Sequence, residues 1–170
     1  MVKKFELLNT NAKITLLLSL TELIINDISD SKGNRFASKA IEKCWNWLKY
    51  KSISAEELYY YLENLDEESL IDFLMMENNP QKEKVWICIA NAFAYTTWEA
   101  YQFEEAKYLP QTIECVDFET IQQFFDCFRE VYTTKSYIWE NLFDLLLNNS
   151  STSKKSEKFI VNNFLKTINN

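Results

Sequence analysis

Histidine is absent from this chain, and turn-forming residues are scarce: one glycine, Gly33, and two prolines, Pro80 and Pro110, in 170 residues. Without histidine there is no Ser-His-Asp or Cys-His nucleophile, no HExxH metalloprotease site and no Glu-x-x-His ligand set of the helical di-iron type. One glycine cannot make a GxGxxG or Walker loop, which removes phosphate cradling by backbone donors. The same shortage leaves almost none of the turn chemistry that β-hairpins require. Cys44, Cys88, Cys115 and Cys127 form no CxxC pair, so neither a zinc ribbon nor a dithiol redox site is spelled out; reduced core residues are expected. No apolar stretch reaches the roughly 18 residues that span a bilayer. Lys3 and Lys4, followed by the apolar run 14–20, superficially resemble a secretory leader. Glu22, Asn26 and Asp27 follow at once with no small-residue cleavage site, so an amphipathic helix is the better reading. A cytoplasmic protein is expected, with no membrane segment.

What remains is rich in helix formers and core residues. Apolar side chains make up 47% and aromatics 15%, and 170 residues suit one domain. A domain of that size buries roughly two-thirds of its unfolded surface, enough for a core without metals or disulfides. The expectation is an all-α, single-domain bundle (1–170) of seven or eight helices around a buried central helix at about 80–105, with residues 1–10 a flexible N-terminus.

Apolar residues recur at helical spacing over 11–28 (Ile14, Leu17, Leu18, Ile24, Ile25, Ile28), and again over 36–50 (Ala40, Ile41, Cys44, Trp45, Leu48). Trp47 falls off the second stripe and suggests a boundary position. Ser54-Ala55-Glu56-Glu57 reads as a capping box that opens a third helix, and Asp66-Glu67-Glu68 as the start of a fourth. Asn79-Pro80 is an N-cap with proline at the first helical position. From Val85 to Ala94 the next helix is apolar nearly all round, which marks it as the enclosed one. Its far end, 95–105, alternates aromatics with carboxylates and is expected to leave the core. A partly extended linker over 106–116 precedes Asp117, the cap of a helix over 118–132. A further helix over 136–147, a polar run over 148–155 and a last helix ending near Ile168 complete the reading.

Charge is unevenly placed. Residues 61–130 carry four basic and fifteen acidic side chains, whereas each flank has a small basic excess, and the whole chain is at −7. Such an acidic middle repels phosphate backbones and anionic lipid and favours a basic protein. Direct nucleic-acid binding is therefore not expected. One catalytic option survives, carboxylate-held magnesium for phosphate hydrolysis, because Glu63 with Asp66 and Glu114 with Asp117 have the one-turn spacing. Both pairs straddle helix boundaries, where caps and dipole partners are expected in any case. Tyr59, Tyr60 and Tyr61 face about 100° apart on a helix, so at least one is exposed. Trp45, Trp86 and Trp139 fall at core positions. Trp98-Glu99-Ala100-Tyr101 with Glu104 and Glu105 mixes rings with carboxylates: the charges suit steering of a basic partner, the rings suit contact once docked.

The run Ala92-Phe93-Ala94-Tyr95-Thr96-Thr97-Trp98-Glu99-Ala100-Tyr101, then Glu104 or Glu105, Tyr108-Leu109-Pro110-Gln111 and Ile113-Glu114, resembles the bacterial immunity protein 6 family. Further matches lie upstream in Cys44-Trp45-Asn46-Trp47-Leu48 and from Glu57-Leu58-Tyr59 to Leu62. The resemblance covers about residues 12–132 of the chain. It implies an all-α protein that binds and neutralises, in the cytoplasm, a polymorphic or contact-dependent toxin made by the same bacterium. The implied partner is the cognate toxin's C-terminal domain, expected to be basic, with nucleases among the candidates; no cofactor or metal is implied. Contact residues follow from charge and expected exposure instead. Asp66, Glu67, Glu68, Glu99, Glu104, Glu105, Glu114 and Asp117 would supply charge, and Tyr60, Trp98, Tyr101 and Tyr108 would supply anchors. Blocking a basic cleft and inhibiting from a remote surface both fit the sequence. The competing readings are a helical adaptor or regulatory subunit, and the magnesium phosphohydrolase.

Overall fold

The computed structural model describes residues 2–133, 137–149 and 157–169, and every regular element among them is helical. The order is α1 (Val2–Phe5), α2 (Thr10–Ile24) continued by a 3-10 turn (Ile25–Ile28), α3 (Asn34–Tyr50), α4 (Ala55–Leu62), α5 (Leu70–Met76), α6 (Pro80–Phe103), α7 (Gln111–Glu114), α8 (Phe118–Val131), α9 (Ile138–Asn149) and α10 (Glu157–Asn169). The all-α expectation holds, with α6 at the centre. That helix packs against α2, α3, α4, α5, α7 and α8.

The sequence explains why α6 is the axis. Asn79 Oδ1 accepts from the backbone N–H groups of Gln81 (2.9 Å) and Lys82 (3.2 Å), with Pro80 behind it at the first helical position. Alanines and threonines then line the buried stretch and let neighbouring helices approach. Thr96 and Thr97, fully buried, return their hydroxyls to the carbonyls of Ala92 (2.9 Å) and Phe93 (3.0 Å), so neither hydroxyl is stranded. Contrary to expectation, the helix does not leave the core at Tyr95: Tyr95, Thr96, Thr97 and Ala100 are buried, and full exposure begins at Gln102. Trp45, Trp86 and Trp139 are buried as the spacing predicts.

Several expectations are corrected. Within the stretch expected to be flexible, Phe5 is 1% exposed and lies edge-on to Tyr95 (5.6 Å between centroids) and Phe125 (5.9 Å). Trp47 is no boundary residue; it is buried beneath Lys51, whose ammonium lies 3.2 Å from the ring centre, and beside Phe103. The fourth helix starts at Leu70 and not at Asp66. Ser69 Oγ accepts from the Asp72 N–H while Asp72 bonds the Ser69 N–H at 2.9 Å, and this buried box outcompetes an exposed acidic run. The linker over 106–116 contains the single turn α7. Cys44 and Cys88 are buried and Cys127 half-buried, but Cys115 is exposed; all four are free thiols. Ser136 and residues 150–155 of the polar run lie outside the described residues.

The lone glycine has a packing reason. A Cβ on Gly33 would sit 2.4 Å from Cγ of Phe73, so the start of α3 touches an aromatic ring where any side chain would collide. Gly33 has φ −85°, an ordinary value, so space and not backbone freedom requires it. Helix ends elsewhere manage without glycine: Lys51 (φ 51°) closes α3 and Glu105 (φ 52°) closes α6, both in the left-handed region that side chains usually avoid. At Glu105 the Schellman pattern is complete. The Ala106 N–H reaches the Tyr101 carbonyl at 3.1 Å and the Glu105 N–H reaches Gln102 at 3.1 Å.

Candidate functional site

The exposed end of α6 and the elements around it hold most of the residues that the sequence singles out. Two surfaces result, one on each flank of that end.

The first is a corner built by α4, the loop after it and the last turn of α6. Tyr60 is 51% exposed and its hydroxyl donates to Glu56 Oε1 at 3.2 Å, one turn earlier on α4. That bond raises its pKa, helped by Asp66 nearby. Tyr101 is half-buried on α6 against the same group. Burial first, then the charges of Glu56 and Glu104, push its hydroxyl up to about 12. Glu104 Oε1 crosses to α4 and accepts from the Ala55 N–H at 2.8 Å. Ser54 does take the Glu57 N–H at 3.0 Å, but Glu57 does not reach back as a capping box requires. Its carboxylate pairs with Lys43 at 2.7 Å, and Glu104 meets a different orphan donor of the same helix end, the Ala55 N–H, from 49 residues away. Behind these, Glu63 accepts from Tyr59 (3.0 Å) and from the Thr112 hydroxyl of α7, tying the corner together.

Among the described residues, no lysine or arginine lies within 4.0 Å of the carboxylates of Glu56, Glu63, Asp66 or Glu104; the ion pairs present lie elsewhere. Tyr108, 89% exposed, stands in the loop that leads from α6 to α7.

The second surface is a groove of about 560 Å³ on the other flank of α6, between the start of α2 and the start of α8. Trp98 and Glu99 line it from α6, Asp117 and Phe118 from the head of α8, and Glu6 and Lys13 from the opposite side. Glu99 Oε1 accepts from the Tyr95 hydroxyl at 2.7 Å. Burial, reinforced by that carboxylate, drives the Tyr95 hydroxyl well above its ordinary range. Lys51 lies half-buried over Trp47 and Phe103, and burial lowers it to about 8 although Glu99 opposes the shift.

The twelve sequence-selected positions therefore do not form one face. Tyr60, Asp66, Tyr101 and Glu104 meet at the corner, while Trp98, Glu99 and Asp117 line the groove. Glu67 and Glu68 belong to the loop before α5, where Glu68 faces Lys32 at 3.7 Å; Glu105 and Glu114 are exposed beside the corner, the latter on α7. Sequence reasoning missed Glu56, although its spacing of four from Tyr60 was visible. It also missed Glu6 and Lys13, which line the groove from the turn after α1 and from α2. For magnesium the candidate pairs are poorly placed. Glu63 is bonded to Tyr59 and Thr112, and Asp117 caps α8 through the N–H groups of Glu119 (2.8 Å) and Thr120 (3.2 Å). Among the described residues, no cluster of three or more thiols or carboxylates is arranged to hold a metal ion. No helix among them is long and apolar enough to cross a membrane.

A family model described as Immunity protein Imm6 matches residues 12–131, which takes in all but the first two residues of α2, then α3 through α8, with the corner and the groove apart from Glu6 and Thr10. No curated protein and no solved structure matches the chain.

Proposed function

Because this chain belongs to the Imm6 immunity protein family, we propose that it neutralises a cognate toxin in the cytoplasm by docking its acidic, tyrosine-bearing corner onto a basic face of the toxin's C-terminal domain. The complex is stoichiometric, and no catalysis by the chain is involved. Four carboxylates grouped with no cation of their own among the described residues carry this reading. A folded protein tolerates such a group where solvent screens it, and a basic partner gains from it twice. The field speeds encounter, and docking supplies the missing counter-charges. Tyr60, Tyr101 and Tyr108 then give ring contact at low entropic cost, since each has few torsions to fix. A nuclease cleft, lined with cations for phosphate, has the complementary chemistry, so occlusion of the cleft excludes substrate directly.

Co-expression with the toxin reading frame beside its own gene tests the proposal. The wild-type chain should restore growth and co-purify with the toxin domain. The charge-reversed variant Glu56→Lys/Asp66→Lys/Glu105→Lys, which spares the buried core and the Glu104 bond to α4, should do neither while keeping its helical circular dichroism. An intact complex with that variant would remove the corner from the interface.

A further inference from the structure

We infer that the groove between α2, the end of α6 and the head of α8 is a socket for a single arginine side chain presented by the partner protein. Its walls and rim have the two components that a guanidinium requires. Trp98 and Phe118 provide apolar ring surface on which a planar cation can lie. Glu6, Glu99 and Asp117 bring carboxylates from three different elements; among the described residues Lys13 is the cation in the lining, and Lys51, outside it, also feels the charge of Glu99. The excess is negative, and the space, about 560 Å³, admits a long side chain with its aliphatic stem.

The carboxylates are also held ready. Tyr95 fixes one oxygen of Glu99, the backbone of α8 fixes one oxygen of Asp117, and Lys13 fixes one oxygen of Glu6 at 2.9 Å. In each case the second oxygen has no partner among the described residues. Carboxylates already oriented this way lose little freedom when a new donor arrives, which favours binding. Arginine suits the site better than lysine. Its fork donates to two separated acceptors at once and stacks flat on indole, whereas an ammonium is a point charge, and Lys13 already supplies one here.

This inference rests on the proposed function for the identity of the partner, but the socket has a chemistry that can be tested apart from it. The isotope-labelled full chain is titrated with acetyl-tetra-arginine amide and, separately, with acetyl-tetra-lysine amide, while the Trp98 indole N–H and the amides of residues 116–118 are followed by NMR. Shifts at those positions with the arginine peptide, much smaller shifts with the lysine peptide, and loss of the effect in Glu99→Gln are expected. Glu99→Gln keeps an acceptor for Tyr95 and so should fold normally. No shift at the groove, equal shifts with both peptides, or shifts only around Tyr60 and Tyr101 would each overturn the socket. In parallel, the toxin domain is titrated into wild type and Glu99→Gln, where the variant should bind about tenfold more weakly. If wild type binds the toxin and Glu99→Gln binds equally well, the socket fails and the immunity reading stands. If wild type does not bind, that reading fails and the peptide titration alone judges the socket.

Discussion

Glu104 bonds within the fold and, under the proposed function, stands at the rim of the interface, and substitution separates the two roles. Within the fold it accepts the Ala55 N–H at 2.8 Å, satisfying one of the orphan donors at the head of α4 with a charged acceptor. A charge-assisted bond of that kind, discounted because Glu104 is solvent-exposed, contributes about 1 kcal/mol. Glu104→Ala removes it entirely and should lower Tm by about 2–4 °C for a chain of this size. Glu104→Gln keeps an oxygen at the same reach and loses only the charge–dipole part, about 0.3–1 kcal/mol. In toxin binding the order should differ. Both variants lose the same charge from the rim of the corner, so both should associate more slowly, and the dissociation rate of Glu104→Gln should stay near wild type. Differential scanning calorimetry and stopped-flow association measure the two effects on the same samples. Equal melting of wild type and Glu104→Ala would refute the linkage between α6 and α4 through this carboxylate. A slower association for Ala alone would refute the idea that charge, and not the geometry of α4, guides the encounter.

Three further outcomes follow from backbone, packing and titration. Glu105→Gly should stabilise the chain by about 0.5–1 kcal/mol in urea unfolding, because glycine accepts φ 52° without the side-chain penalty; a loss of stability would contradict the strain assigned to this turn. Gly33→Ala should destabilise by about 1–3 kcal/mol through collision with Phe73, and Phe73→Leu in the same chain should recover part of the loss; strictly additive effects would argue that the two do not touch. Lys51 is depressed to about 8 in the fold against 10.5 when free, so the unfolded chain holds the extra proton between those values and stability should rise with pH across that window. Lys51→Met should flatten that rise in unfolding measured from pH 7 to 10; an unchanged profile would remove Lys51 as its source.

Much of the fold was legible because it depends on local rules. Asn79-Pro80 and Asp117 begin helices as their chemistry requires, and the nearly all-apolar stretch of α6 could be accommodated only by enclosure. Errors arose where a distant contact overruled a local signal. Asp66-Glu67-Glu68 looks like a helix start, yet Ser69 and Asp72 capture the cap because Leu70 and Phe73 must be buried. Trp47 looks peripheral by stripe, but the end of α6 folds over it. The candidate site was half legible for the same reason. Rings and carboxylates on one helix could be paired by spacing, whereas the division into a corner and a groove depends on which helices flank α6. Glu104 illustrates the limit: nothing near it in sequence shows that its carboxylate caps a helix 49 residues earlier.

The placement of the tryptophans also makes the molecule its own optical reporter. Trp45, Trp47, Trp86 and Trp139 are buried, and Trp98, at the groove, is the one that solvent reaches in part. Acrylamide should therefore quench Trp98 before the others, leaving a residual emission from the interior. A partner seated in the groove would shield that indole and leave the core rings unchanged. Docking at the corner alone would leave the quenching as it was, so unlabelled protein in a cuvette distinguishes which flank of α6 is occupied.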